Sequence, residues 1–195
     1  MKSFVKFLIN IFIGKIFYHA KYFNQENEKK LDRCIICPNH SSFMDPTWIY
    51  AKTKNLCIMA KSELFEPKWF GKILSYFDVF PIHRGKHDAR SLLHAIKIFE
   101  NQKKRKLLVF VEGGTVKGNK ERGDAKVGPA YIAYKTNTPI VPVYITKNPK
   151  KFKRVNIIYG KAQYITEEIA KDKQKLQEFS DNLLDSIYNL RDVIQ

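Results

Sequence analysis

What this chain can fold into is constrained most by five short apolar runs, at residues 34–37, 56–60, 107–111, 140–145 and 155–159. Each is almost uniformly apolar where a half-buried strand would alternate, and that pattern marks a strand covered on both faces. Covering both faces requires helices between the strands, and the intervening sequence supplies them. Ala89, Leu92, Leu93, Ile96 and Phe99 recur at helical spacing, residues 130–134 form a shorter apolar turn, and Leu176, Phe179, Leu183, Leu184, Ile187 and Leu190 outline a closing helix. Strands alternating with helices predict an α/β fold with a mostly parallel or mixed sheet flanked by helices. A length of 195 residues with no internal repeat suits one domain with a sizeable core.

Right after the first run comes PNHSSFMDP, residues 38–46. A histidine that takes a proton from an alcohol works best when its other ring nitrogen donates to a carboxylate, which fixes the tautomer and stabilises the cation. His40 and Asp45 can form such a pair. Their separation exceeds the three or four residues that bring side chains together along a helix, so contact requires a turn, and Ser41 and Ser42 suit one. Asp45-Pro46 reads as a helix start, which sets the pair at a strand-to-helix junction. The same residues also fit a packed histidine beside an ordinary helix cap.

Four ordered blocks turn that local reading into a resemblance. NHSSFMDP resembles the Asn-His-x-x-x-x-Asp motif of the glycerolipid acyltransferases, in particular the bacterial 1-acylglycerol-3-phosphate acyltransferases of the PlsC type. AKSELF, residues 60–65, is similar to the segment that follows it in the family. FDVFPIHRG, residues 77–85, resembles the second block, whose arginine is here Arg84; VEGGT, residues 111–115, the third; and TPIVPV, residues 138–143, the fourth. The resemblance spans about residues 33–145 and implies a glycerolipid acyltransferase-like fold in which His40 is the base and Asp45 its orienter. It also implies that Arg84, Glu112, Gly113, Gly114 and Lys126 serve substrate binding, with Ser41 and Ser42 not nucleophiles and no metal or cofactor needed. The third block departs from the family's usual FPEGTR, because Val111 replaces proline and Thr115 stands where arginine is usual. Lys117, Arg122 or Lys126 can replace that charge. The charged, glycine-containing loop 117–126 is expected to move over substrate. Transfer of an acyl group from acyl-CoA or acyl-ACP to 1-acyl-sn-glycerol-3-phosphate follows as the implied reaction, with another lysolipid or other acceptor as the runner-up.

Composition narrows the partners without choosing among them. Thirty-five Lys and Arg against nineteen Asp and Glu give a net charge of +16, which favours anionic membrane surfaces, phosphorylated substrates, an acidic carrier protein or nucleic acid. A basic nucleic-acid-binding module would use the charge but leaves PNHSSFMDP unexplained, and no basic helix interleaved with aromatics is evident. Residues 1–23 carry bulky apolar side chains with Lys2, Lys6 and Asn10 on one helical face. The uncharged run within them is far shorter than the roughly 20 residues a spanning helix needs. An amphipathic membrane-associating helix is expected there, leaving residues 24–195 as the catalytic domain at the cytoplasmic face of a membrane, peripheral or monotopic. A helix packed on its own domain and a tilted or re-entrant insertion fit the same residues. Cys34, Cys37 and Cys57 all lie in apolar runs, a pattern of buried thiols in a reducing cytosol.

Overall fold

The computed structural model describes residues 2–8, 11, 15, 18–83, 89–116 and 120–194. Seven strands form one sheet in the order β1-β7-β6-β2-β5-β3-β4. They are β1 (His19–Phe23), β2 (Cys34–Pro38), β3 (Leu56–Lys61), β4 (Val79–Ile82), β5 (Lys106–Leu108), β6 (Ile140–Ile145) and β7 (Arg154–Tyr159). All neighbouring strands run parallel except β6 and β7, so the expected mixed sheet is present.

Both faces of the sheet are covered, which is why its strands read as unbroken apolar runs. Cys34 and Ile36 point into a core with Trp48, Ile49 and Tyr50 of α3 (Asp45–Lys52). Ile35 and Cys37, one step along the pleat, join the opposite core. There they meet Ala95 and Phe99 of α5 (Ala89–Glu100), Ile132 and Ala133 of α6 (Gly128–Thr136), and Leu183, Leu184 and Ile187 of α8 (Lys173–Asn189). The first face also carries α1 (Lys2–Leu8), which packs on α3, and α4 (Lys68–Tyr76). The short helices α2 (Glu26–Lys29) and α7 (Glu167–Lys171) complete the set. Connections diverge at the centre: β2 leads into α3 on one face and β5 leads through a long loop into α6 on the other. In open α/β sheets a crevice forms at the carboxyl ends of such a strand pair.

Two expectations are corrected. Residues 19–23 are a strand, not the end of an N-terminal helix. Their backbone pairs with β7 from His19 opposite Arg154 to Phe23 opposite Ile158, so they belong to the sheet. The polar stretch after it is anchored in the fold, since Glu28 is buried and forms an ion pair with Lys106, whose ammonium also donates to the Glu28 carbonyl at 2.9 Å. The run 107–111 leaves the sheet after Leu108, because Gly113 N–H donates to Phe110 C=O at 2.9 Å and turns the chain toward β2. No described helix is long and apolar enough to cross a membrane.

Candidate active site

Where β2 ends, Asn39 replaces the lost ladder with its side chain. Its amide donates to Ile145 C=O at 2.9 Å, and its carbonyl accepts Ile145 N–H at 2.7 Å, on β6. A fully buried asparagine thus extends the pairing with β6 while releasing the main chain of the next residue to turn away. His40 takes that freedom. Its Nδ1 lies 2.9 Å from Asp45 Oδ2, and the ring stacks on Phe110 with centroids 3.8 Å apart.

The turn between the pair exists because Asp45 gathers it. Oδ2 also accepts Ser41 N–H at 2.7 Å and Ser42 N–H at 2.8 Å, curling the loop around a completely buried carboxylate. A carboxylate only accepts, so Nδ1 carries the proton in this contact and Nε2 is left to take one. The His40 side chain retains 12% exposure, so the ring is not sealed from the surface. Ser41 Oγ accepts Asn148 N–H at 3.0 Å and Ser42 Oγ accepts Met44 N–H at 3.2 Å, so both hydroxyls serve the loop.

Glu112 locks this loop to the third block. One carboxylate oxygen accepts His40 N–H at 2.8 Å; the other accepts Gly123 N–H at 2.8 Å and the Tyr188 hydroxyl at 2.9 Å. Val116 N–H closes the loop by donating to His40 C=O at 2.9 Å. Burial, reinforced by the adjacent Glu112 carboxylate, pushes the Tyr188 phenol up, so it stays protonated and donates. Glu112 is itself buried with both oxygens held by protein donors, which makes it a positioning residue for His40.

Gly113 has φ +66, and a Cβ there would come within 3.1 Å of Lys126 Cγ, so the turn requires glycine and the Lys126 stem lies across it. Gly114 is half-buried on the same turn, and Thr115 is exposed beside it. Arg122 is paired with Asp185 on α8. Two neighbours of Arg122 in the loop are held as well: Ala125 C=O accepts from Gln177 at 3.2 Å, and Arg191 pairs with Glu121 at 2.7 Å. Residues 121, 122 and 125 thus contact α8 and the 3-10 turn Leu190–Ile194 that follows it, and residues 117–119 of the expected moving loop lie outside the described residues. Arg84 and Lys117 lie outside the described residues; the second block places β4, Val79–Ile82, in the sheet.

Asn39, Phe110 and Tyr188 are site residues that the sequence reading did not single out. Asn39 had a signal, its place before the histidine in the quoted motif. Tyr188 had none, being one more residue of the C-terminal helix.

The chain is similar to known proteins. The family model for Acyltransferase matches residues 19–146. A 1-acyl-sn-glycerol-3-phosphate acyltransferase of Streptococcus pneumoniae is 27% identical over 147 residues, covering 74% of this chain and 53% of that protein. A chloroplastic 1-acyl-sn-glycerol-3-phosphate acyltransferase of Brassica napus is 30% identical over 129 residues, covering 65% of this chain and 37% of that protein. The crystal structure of the 1-acyl-sn-glycerophosphate acyltransferase PlsC from Thermotoga maritima superposes with a TM-score of 0.72 at 21% identity, covering 98% of this chain and 80% of that one. The chain thus spans about half or less of the two curated relatives and shares its fold with the solved one.

Proposed function

The chain belongs to the Acyltransferase family, and we propose that it moves a fatty acyl group from a thioester to the free hydroxyl of 1-acyl-sn-glycerol-3-phosphate, yielding phosphatidic acid for phospholipid synthesis. The observation that carries this reading is the buried Asp45 carboxylate held 2.9 Å from His40 Nδ1. Nε2 of His40 removes the hydroxyl proton as the acceptor oxygen bonds to the thioester carbonyl carbon. The resulting imidazolium is stabilised by Asp45, and collapse of the tetrahedral adduct breaks the carbon–sulfur bond. The leaving thiolate takes back the proton, so no acyl-enzyme and no cofactor enters the cycle. Asn39 and Glu112 hold the loop while charge develops, which spares the site reorganisation.

The donor is acyl-CoA or acyl-ACP, and Arg84, Lys126 and the turn at Gly113 and Gly114 bind the acceptor phosphate. Work at the cytoplasmic face of an anionic membrane fits the net charge of +16. A second reading, the same chemistry on another acceptor, is favoured by Thr115 at the position where arginine is usual. A radiolabelled acyl donor offered to a panel of lysolipids, with the products separated, tests both. Label in phosphatidic acid is expected; label in another lipid alone selects the second reading, and no labelled lipid overturns both.

A further inference from the structure

Between β6 and β7 the chain turns back through a hairpin that sets a run of cations beside the catalytic loop. β6 runs parallel to β2, so the hairpin leaves the sheet at the same end as His40. Its base is fixed there: Asn148 N–H donates to Ser41 Oγ at 3.0 Å, and Lys147 Nζ donates to Lys120 C=O at 3.0 Å. Its tip carries Lys150, Lys151, Phe152, Lys153 and Arg154 in succession, all exposed. Lys150, Lys151, Lys153 and Arg154 have no carboxylate partner among the described residues. No Asp or Glu occurs between Asp124 and Glu167, so the local field is uniformly positive.

The turn at the tip holds a residue that its backbone disfavours. Lys153 N–H donates to Lys150 C=O at 3.2 Å, closing a four-residue turn with Lys151 and Phe152 at its centre. Phe152 has φ +60, the left-handed conformation that turns reserve for glycine, asparagine or aspartate. The other described non-glycine residues with positive φ, Asn24, Asn55, Asp78, Asn137 and Asn148, follow that preference. Phe152 is also 61% exposed, so core packing does not account for an aromatic there. Local strain that neither the turn nor burial requires points to a role in recognition. A projecting aromatic among cations has the composition of an interface anchor with a charged surround.

We infer that the β6–β7 hairpin is the docking site for an acidic carrier protein that delivers the acyl group, with Lys150, Lys151, Lys153 and Arg154 meeting its carboxylates and Phe152 packing among them. This docking site rests on the proposed acyl transfer and names the donor class that it takes. Reach is sufficient. From Asn148, bonded to the catalytic loop, to Phe152 is four residues, at most about 14 Å of chain. The acyl thioester of a carrier rides on a flexible pantetheine arm able to cover such a span. Geometry chooses a protein over a nucleotide, because a compact nucleotide is held by donors converging in a cleft. These cations instead lie along an exposed hairpin tip, which suits a surface meeting another surface. Opposite charge also speeds that encounter and weakens with salt.

Two variants of the full chain test the site. Lys150→Glu, Lys151→Glu, Lys153→Glu reverses the charge, and Phe152→Gly removes the ring where glycine adopts the observed φ freely. Lys29→Glu, Lys30→Glu, exposed at the opposite end of the sheet before β2, controls for bulk charge. Binding of a purified bacterial holo-acyl carrier protein is measured by fluorescence anisotropy, and transfer to lysophosphatidic acid is followed with the acyl carrier and with acyl-CoA of the same chain length. Carrier affinity is expected to fall about tenfold or more in the triple variant and about threefold or more in Phe152→Gly, with KM for the acyl carrier rising to match. Turnover of acyl-CoA, the bulk-charge control and the circular dichroism spectra are expected to stay unchanged. Undiminished carrier affinity in the triple variant overturns the docking site, as does a parent chain that transfers only from acyl-CoA and binds no carrier. Equal losses with both donors overturn it in favour of a nucleotide site, and loss of flotation on phosphatidylglycerol vesicles with carrier affinity intact overturns it in favour of a lipid surface. Hairpin-dependent carrier binding with no transfer from either donor refutes the proposed function alone, and transfer from the acyl carrier that both hairpin variants leave unchanged refutes the docking site alone.

Discussion

Replacing Asp45 with asparagine separates the orienter from the base while keeping the shape of the loop. In the native site Oδ2 accepts three N–H groups, from His40, Ser41 and Ser42, at 2.9, 2.7 and 2.8 Å, and the buried Oδ1 has no partner among the described residues. Asparagine has two orientations and each loses something. With its oxygen toward the three donors, its NH2 occupies the partnerless position, an unpaired buried donor that costs about 1–3 kcal/mol of stability. With the amide flipped, NH2 faces three donors and the imidazole adopts the wrong tautomer. In either case the anion that stabilises the imidazolium is gone. A hydrogen bond to a charged group contributes about 1.5–3 kcal/mol, which is about one to two decades of kcat. Tautomer loss extends the fall toward about four decades, as in serine-protease triads. Asp45 is fully buried and does not face the acceptor, so KM for the lysolipid should stay within about threefold, the signature of support realised only in the transition state. The assay is thiol release from the acyl donor at varied lysophosphatidic acid, with circular dichroism and a denaturation curve on the same preparation. A folded Asp45→Asn protein with kcat within about threefold of the parent would refute the orienting role.

Three further expectations follow from the same contacts. Tyr188→Phe removes one donor to Glu112 and should lower kcat by about three- to tenfold with little change in KM, the scale of one hydrogen bond near 1 kcal/mol; steady-state kinetics check it. Lys106→Ala leaves the buried Glu28 carboxylate unpaired and should lower the unfolding free energy by about 3–5 kcal/mol, read from urea denaturation, while Glu28→Leu with Lys106→Met restores most of it. Burial pushes the Cys34 thiol up to about 12 and the Cys57 thiol up to about 11, and pushes Cys37 up as well. Because these raised values keep the thiols protonated near neutral pH, a thiol reagent at pH 8 should label none of the three until the protein is denatured.

How far the sequence predicts this structure depends on where each residue's partners lie. The run 140–145 matches β6 end to end because its residues are sealed by helices on both faces, so burial alone set their type. β1 was hidden for the opposite reason. HAKYF pairs with a single neighbour at the sheet edge and stays half-exposed, so its lysine and aromatics read as continuing the amphipathic segment before it. His40 and Asp45 were legible as a pair because their contact is local and needs one turn. Glu112 was legible as a site residue but not as the bolt between His40, Gly123 and Tyr188, because that role depends on partners brought together from distant parts of the chain. The direction of α1 was likewise invisible, since the lysine stripe that suggests a solvent-facing side is drawn inward by Asp78 and Tyr50.

The base assignment is tested most directly by His40→Ala, measured as acyl-donor thiol release with saturating lysophosphatidic acid. The account predicts that release falls to the no-enzyme background while the folded circular dichroism spectrum is retained. A folded His40→Ala protein that turns over at the parent rate would contradict it.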